Sequence, residues 1–137
     1  MQASSPLQHC RALSERLGDW LARPSRVEPR LVELDWGRLE GRAWSEIDPA
    51  ALDLWATQPS KYPDQGGESL ADLLHRLEQL LADTPRPVIW ITQAGVIRAL
   101  HHLLVGLPLQ AAAQLSIDHL RPYRFLLPPR RQANGQA

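Results

Sequence analysis

The sequence of 137 residues predicts an α/β fold with a mainly parallel sheet flanked by helices. Residues 88–91 form a continuous β-rich apolar run, so we predict a strand over residues 87–92 that is buried on both faces. A leucine stripe at helical spacing precedes this strand over residues 70–81, and a helix that Gly106 ends follows it. Alternating strands and helices are typical of parallel sheets, whose ligands bind at the carboxyl ends of the strands.

The first helix is predicted from Ser4-Ser5-Pro6, because Ser5 can cap a helix and Pro6 suits its first turn. The apolar residues of this segment share one face at helical spacing: Leu7, Cys10, Leu13, Leu17 and Leu21. Gly18 is expected to interrupt the helix, and Pro24 to end it. Since only three residues precede the cap, we expect no useful strand before this helix.

The remaining elements are short. An extended segment is predicted over residues 27–34, and Asp48-Pro49 predicts a capped helix that runs to about Trp55. A helix near residues 109–115 and a strand near residues 123–127 complete the expected fold. No linker is long enough to separate two domains, so residues 1–137 are predicted to form one domain with residues 128–137 as a frayed tail.

Composition excludes several classes of function. The 15 Lys and Arg residues balance the 15 Asp and Glu residues, which gives no electrostatic reason to expect nucleic acid. Cys10 is the single cysteine, so a disulfide framework and a thiolate zinc site are excluded. No apolar run approaches the ~20 residues of a membrane helix, and no leader opens the chain. We therefore expect a cytoplasmic protein without a membrane partner.

Four segments, taken in chain order, resemble the histidine phosphatase superfamily. They are a Ser-Pro-Leu segment at residues 4–13, an acidic loop at residues 30–41, a Gly-Glu-Ser helix start at residues 67–69 with Arg76, and a second-histidine segment at residues 91–98. The resemblance covers residues 4 to about 106. The acidic loop is most similar to that of α-ribazole phosphatases, which act in assembling the lower ligand of cobalamin.

The resemblance implies a three-layer, phosphoglycerate mutase-like fold and a phosphatase or phosphomutase that acts through a phosphohistidine. In this family one histidine attacks phosphorus, two arginines and a second histidine hold the phosphate oxygens, and an acid protonates the leaving oxygen. Glu33 matches that acid. No cofactor is implied, no residues lie at metal-ligand spacing, and the expected partner is a small phosphorylated molecule.

The chain departs from the family pattern at its cationic positions. His9 stands where the family has its second arginine, and it cannot make the planar two-pronged contact with phosphate. Gln93 stands where the family has its second histidine, and it can donate a hydrogen bond but carries no charge. The backbone amides of Ala94 and Gly95 open a helix and are candidate phosphate contacts.

The family nucleophile lies in an Arg-His-Gly motif after the first strand, upstream of the Ser-Pro-Leu segment. We therefore expect a partial domain that lacks the first strands and is catalytically impaired. Two alternatives stay open: an active phosphatase with a divergent or partner-completed site, and a non-catalytic remnant that binds an anion or a protein. Missing strands would leave unpaired sheet edges, so marginal stability or self-association through an exposed edge is also expected.

Overall fold

The computed structural model describes residues 1–40, 42, 46–61 and 66–127, without the side chains of Leu39, Ala51, Leu52 and Trp55. The strands are β1 (Gln2–Ser4), β2 (Ser25–Val27) and β3 (Ile89–Ile91). The α-helices are α1 (Gln8–Leu21), α2 (Pro49–Thr57), α3 (Leu70–Asp83), α4 (Ala94–Leu100) and α5 (Leu109–Ala113). The described residues also include the 3₁₀ turns Pro29–Leu31 and Gly37–Leu39 and the π-helix His101–Val105.

The three strands form one parallel sheet in the order β2-β1-β3. Ala3 at the centre of β1 pairs with Arg26 on one side and with Trp90 on the other. Helix α1 packs against all three strands, and the core cluster joins Ala3 to leucines of α3 and to residues of α4. The predicted fold class, a parallel sheet flanked by helices, is confirmed.

The expectation that no strand precedes the first helix is wrong, because Gln2–Ser4 is the central strand. This segment has little β propensity, and pairing on both sides supplies its stability instead. Its polar side chains are buried, and Gln2 Nε2 donates to the Ser14 carbonyl at 2.6 Å. The Ser5 N–H continues the pairing and donates to the Ile91 carbonyl at 2.8 Å.

Helix α1 begins later than predicted. Leu7 is its N-cap, and the Ser5 hydroxyl accepts from the Leu7 N–H at 3.4 Å instead of capping the helix. Gly18 lies within α1 and does not interrupt it. A Cβ added at position 18 would lie 2.7 Å from the Arg23 carbonyl oxygen.

The face of α1 that packs on the sheet differs from the predicted leucine face. The residues buried there are small: Cys10, Ser14 and Gly18. Leu7 and Leu13 are instead exposed. Small side chains at intervals of four allow the helix to approach the strands closely, and this requirement outweighs the apolar periodicity.

Helix α3 and strand β3 lie close to their predicted positions. The Ser69 hydroxyl caps α3 by accepting from the Asp72 N–H at 3.1 Å, and the leucine stripe of the helix is buried. Strand β3 is shorter than predicted and its three residues are partly buried, so burial on both faces is wrong. Within the described ranges no strand pairs with the side of β3 that faces away from β1.

Of the remaining predictions, the two short helices are confirmed and the two extended segments are wrong. Helices α2 and α5 are confirmed, and the Asp48 carboxylate caps α2 by accepting from the Ala50 N–H at 2.9 Å. The extended segment at residues 27–34 is wrong, because β2 ends at Val27 and a 3₁₀ turn follows. The strand at residues 123–127 is wrong as well, since those residues join no sheet. The predicted tail at residues 128–137 lies outside the described residues.

Candidate functional site

The candidate site lies at the carboxyl ends of the parallel strands, where Glu33 reaches the start of α4. Glu33 follows the Pro29–Leu31 turn, and its Oε1 accepts from the Leu34 N–H at 2.8 Å. Its Oε2 accepts from the Gly95 N–H at 3.1 Å, across 62 residues of sequence. The structure therefore joins the predicted acid to one of the two backbone amides that the sequence indicated, and the Gly95 amide already holds a carboxylate.

Position 95 tolerates no side chain in this arrangement. A Cβ built on Gly95 would collide with the Glu33 carboxylate, Oε1 being the nearest atom. Gly95 is helical, so its role is close approach and not an unusual backbone angle. The sequence motif contains this glycine, but its contact with Glu33 follows from the fold.

Burial raises the pKa of Glu33 above its ordinary value, and this effect outweighs the Leu34 and Gly95 amides, which lower it. Arg98, one turn further along α4, also lowers the pKa of Glu33 by its charge. The carboxyl therefore keeps its proton to a higher pH than a solvated glutamate does. Burial, and secondarily the Glu33 charge, raises the pKa of the Cys10 thiol, so that thiol is not activated.

The loop that carries Glu33 is anchored by an arginine of α3. Arg76 Nη1 donates to the carbonyls of Arg30 at 2.9 Å and Val32 at 2.7 Å. The same guanidinium binds Glu68 with two contacts, Nε to Oε1 at 3.1 Å and Nη2 to Oε2 at 2.8 Å. The Glu68 N–H donates to the Asp35 carbonyl at 2.9 Å, and Glu68 Oε2 accepts from the Asp35 N–H at 3.3 Å. Backbone groups on both sides of Glu33 are thus held.

Two further contacts close the loop onto the sheet. The Thr92 hydroxyl, just past the end of β3, donates to the Leu31 carbonyl at 2.7 Å. Gly67 has a φ of 92° and packs so tightly that a Cβ there would collide with the Asp35 carbonyl oxygen and lie 2.7 Å from the Gly37 nitrogen. The Gly-Glu-Ser segment of the sequence therefore has a structural use, which is to fasten the acidic loop.

Gln93 occupies the N-cap position of α4 without capping it. Its Oε1 lies 3.4 Å from the Thr92 hydroxyl, and its Nε2 is buried with no hydrogen-bond partner in the described part of the chain. Ser4 Oγ, at the end of the neighbouring strand β1, is likewise buried and unpartnered among the described residues. Such orphaned polar atoms are costly in a folded protein, where buried polar groups are nearly always paired with protein groups or with water.

His9 lies apart from these groups. It is exposed on the first turn of α1 and, within the described residues, makes no hydrogen bond or ion pair with Glu33 or Gln93. The structure thus brings together Glu33, Gln93 and Gly95, with Ala94 beside them as the first residue of α4, and leaves His9 at the surface. Arg98 was missed by the sequence analysis, although its position one turn after Gly95 puts it on the same side of α4.

A small cavity borders the site on its α5 side. Its volume is about 30 Å³, and Leu34, Gly95 and Arg98 form part of its wall, with apolar residues of α3 and α5 completing it. A space of this size has room for a small number of water molecules. Within the described ranges no group of three metal-ligating side chains is found, and no helix there is long and apolar enough to cross a bilayer.

Comparison with known proteins agrees with this geometry. The sequence profile of the histidine phosphatase superfamily (branch 1) matches residues 1–132. A glucosyl-3-phosphoglycerate phosphatase of Mycolicibacterium vanbaalenii is 30% identical over 120 residues, which are 77% of this chain and 53% of that protein. Phosphoserine phosphatase 1 of Hydrogenobacter thermophilus is 29% identical over 100 residues, which are 67% of this chain and 47% of that protein.

The solved structures give the same result. A phosphoglycerate mutase from Thermus thermophilus superposes with a TM-score of 0.62 at 31% identity, covering 75% of this chain and 57% of that one. The chain spans about half the length of the curated relatives it matches. Taken with the parallel sheet and the site at its carboxyl end, the match over residues 1–132 shows that the chain belongs to the histidine phosphatase superfamily.

Proposed function

We propose that this chain is a phosphomonoester phosphatase-like protein, resembling α-ribazole phosphatase, in which phosphoryl transfer is impaired. The observation that carries the proposal is a buried glutamate at the family's acid position beside an uncharged residue at the family's second-histidine position. Glu33 is held on the Gly95 amide at the carboxyl end of the sheet, and the uncharged Gln93 stands where the family has a histidine.

The acid half of the proposal follows from the environment of Glu33. A general acid must hold its proton near the working pH, and burial shifts the pKa of Glu33 in that direction. Family chemistry gives the leaving-group oxygen of a phosphomonoester as the atom that such an acid protonates. The carboxyl lies at the end of the sheet where parallel α/β proteins bind their ligands.

The impairment follows from charge. A phosphoryl group in transfer spreads negative charge over its oxygens, and fixed cations stabilise that charge. Gln93 offers an amide N–H₂ without positive charge, and His9 is exposed and makes no contact with Glu33 or Gln93 among the described residues. Arg98 is a cation close to Glu33, but its Nε donates to the Leu115 carbonyl at 2.8 Å.

The proposed substrate class is a small phosphomonoester. Relatives of this chain carry the names glucosyl-3-phosphoglycerate phosphatase and phosphoserine phosphatase, and both names denote the hydrolysis of a phosphomonoester. The likeness of the acidic loop to α-ribazole phosphatases favours α-ribazole phosphate within this class, with a role in assembling the lower ligand of cobalamin. A cytoplasmic location fits such a substrate.

The test is a hydrolysis assay of the chain with α-ribazole phosphate and with p-nitrophenyl phosphate. We expect no turnover above background and no acid-labile phosphoprotein after incubation with either ester. The matched comparison is a version that carries an upstream strand with the Arg-His-Gly motif together with His9→Arg and Gln93→His. That version is expected to hydrolyse at least one of the two esters.

Each outcome decides between the hypotheses. Turnover in the repaired version alone supports the proposal. A phosphoprotein trapped on the unmodified chain overturns the impairment and favours an active phosphatase with a divergent or partner-completed site. If the repaired version is folded and inactive, the proposed function is overturned.

A second candidate is anion binding without turnover, which the buried and unpartnered Gln93 Nε2 favours. Such a donor needs an acceptor, and the carboxyl of Glu33 repels anions only when it is ionised. Sulfate keeps its charge across the acidic range, so its binding is a clean probe. Calorimetric titration should show sulfate binding that strengthens as pH falls through the Glu33 pKa and that Gln93→Leu abolishes.

A further inference from the structure

We propose that Arg76 and Glu68 are positioning residues that hold Glu33 on the Gly95 amide. This inference rests on the proposed function, in which Glu33 is the acid, and it adds two residues that touch neither the substrate nor the carboxyl itself. The geometry points to them because they bind the backbone on both sides of Glu33.

The loop that carries Glu33 needs such an anchor because, within the described segments, its backbone makes no hydrogen bonds to a neighbouring strand. Strand β2 ends at Val27, so the carbonyls of residues 30–32 leave the sheet without strand partners. Arg76 takes the carbonyls of Arg30 and Val32, and the Thr92 hydroxyl takes the Leu31 carbonyl between them. Three side-chain hydrogen bonds thus replace a strand immediately before Glu33.

Glu68 completes the anchor on the far side. It pairs with Arg76 through both carboxylate oxygens, and its own backbone and side chain hold the N–H and carbonyl of Asp35. The side chains of Arg76 and Glu68 are both 18% exposed, so the pair is shielded from solvent and the loss of one partner leaves a charge stranded.

The groups that act electrostatically on Glu33 belong to other elements. The charge of Arg98 on α4 lowers the pKa of Glu33, and the charge of Glu40, beyond the Gly37–Leu39 turn, raises it. The charge of Glu33 in turn raises the pKa of Cys10 on α1. Neither Arg76 nor Glu68 is among the charges that shift Glu33. A change at Arg76 that keeps its charge and still alters the Glu33 titration therefore acts through the position of the carboxyl.

The test reads the titration of Glu33 from the Gly95 amide by ¹⁵N NMR across the acidic range. In the parent protein the Gly95 resonance should shift with the Glu33 titration, since that N–H donates to the carboxylate. Arg76→Lys keeps the charge but loses the bridge across two carbonyls, and Glu68→Gln keeps the shape but loses the ion pair. In both variants we expect the Gly95 shift with pH to shrink and the Glu33 pKa to fall towards its ordinary value, because burial is relieved.

Asp118→Asn is the matched control, because it removes the exposed Arg121–Asp118 pair far along the chain. It should leave the Gly95 titration unchanged. If Arg76→Lys and Glu68→Gln are folded and melt at lower temperature while Gly95 titrates as in the parent, the two residues are merely structural and the inference is overturned. The readout needs no turnover, so it is independent of whether the phosphatase assignment holds.

Discussion

The two sides of the site differ in how fully their polar groups are hydrogen-bonded. On the acid side, Glu33 is held by two backbone amides, and its loop is fastened by Arg76 and Glu68. On the phosphate side, Gln93 Nε2 and Ser4 Oγ are buried without partners among the described residues. Under the proposed function, the comparison indicates that a proton donor can stay in position where the polar residues beside it carry no charge.

The difference has a physical origin. The acid side is part of the packing, since Gly67, Glu68 and Arg76 fasten a loop that crosses the end of the sheet, and their loss would cost stability. Under the proposed function, the residues at positions 9 and 93 serve a ligand and not the packing, so substitutions there should cost the fold little. We therefore expect variants on the acid side to lower stability and those on the phosphate side to alter binding alone.

The largest effect is expected from Gly67→Ala, which disturbs the close contact between Gly67 and the loop that carries Glu33. The new methyl group collides with the Asp35 backbone at a φ of 92°, and strain and collision together should lower the free energy of unfolding by about 2–4 kcal/mol. Urea denaturation gives the value. Gly66→Ala is the control, since its φ of 79° gives the strain without any atom within 4 Å. Equal losses for the two variants would contradict the tight contact.

Gly95→Ala tests the junction between the two sides. Its methyl group would displace the flexible end of Glu33, at a cost of about 1–3 kcal/mol. In a Glu33→Ala background the same substitution meets no carboxylate and should cost less. Urea denaturation of the four proteins yields the coupling energy, which we expect to be about 1 kcal/mol or more. Additive losses would show that Glu33 and Gly95 are not in contact.

A smaller effect is expected in the pH dependence. The pKa of Glu33 is raised in the folded state, so the folded protein binds its proton more tightly than the unfolded chain does. The stability of the parent relative to Glu33→Ala should therefore be greatest below the ordinary glutamate pKa and decline as pH rises through the folded value. Urea denaturation at a series of pH values measures the difference, and a constant difference would refute the raised pKa.

The smallest effect concerns the outer edge of the sheet. The Ile89 N–H donates to the Met1 carbonyl at 3.0 Å, so the N–H groups of Val88 and Trp90 alternate away from β1. We propose that this edge pairs weakly with a second copy of the chain. Sedimentation should show concentration-dependent association that Val88→Pro reduces and Val27→Lys, on the opposite edge strand, does not. Association that is unaffected by Val88→Pro would place the contact elsewhere.

Helices were predictable where local chemistry decides them. Ser69 caps α3, Asp48 caps α2, and Gly106 adopts a φ of 80° after the π-helix that extends α4, as their residue types indicate. Strand β1 was not predictable, because Gln2–Ser4 owes its conformation to neighbours on both sides that are distant in sequence. The strand expected at residues 123–127 failed for the converse reason, since a suitable composition found no partner strand among the described residues.

The site shows the same division. Glu33 and Gln93 were identified from sequence segments, and the structure places both at the carboxyl end of the sheet. The collision that Gly95 avoids was not predictable, since it joins positions 62 residues apart. The contacts of Arg76 with two carbonyls of the loop were not predictable either, since they also join residues distant in sequence. From the sequence alone, an arginine in a helix indicates a solvated charge.

The exposure of His9 bears on how readily the arginine of the family pattern could be placed at this position. His9 is exposed on the first turn of α1, so replacing it should change the free energy of unfolding by less than about 0.5 kcal/mol. A single base change converts a histidine codon to an arginine codon. The fold therefore imposes little barrier to His9→Arg, the substitution that places the arginine of the family pattern at this position.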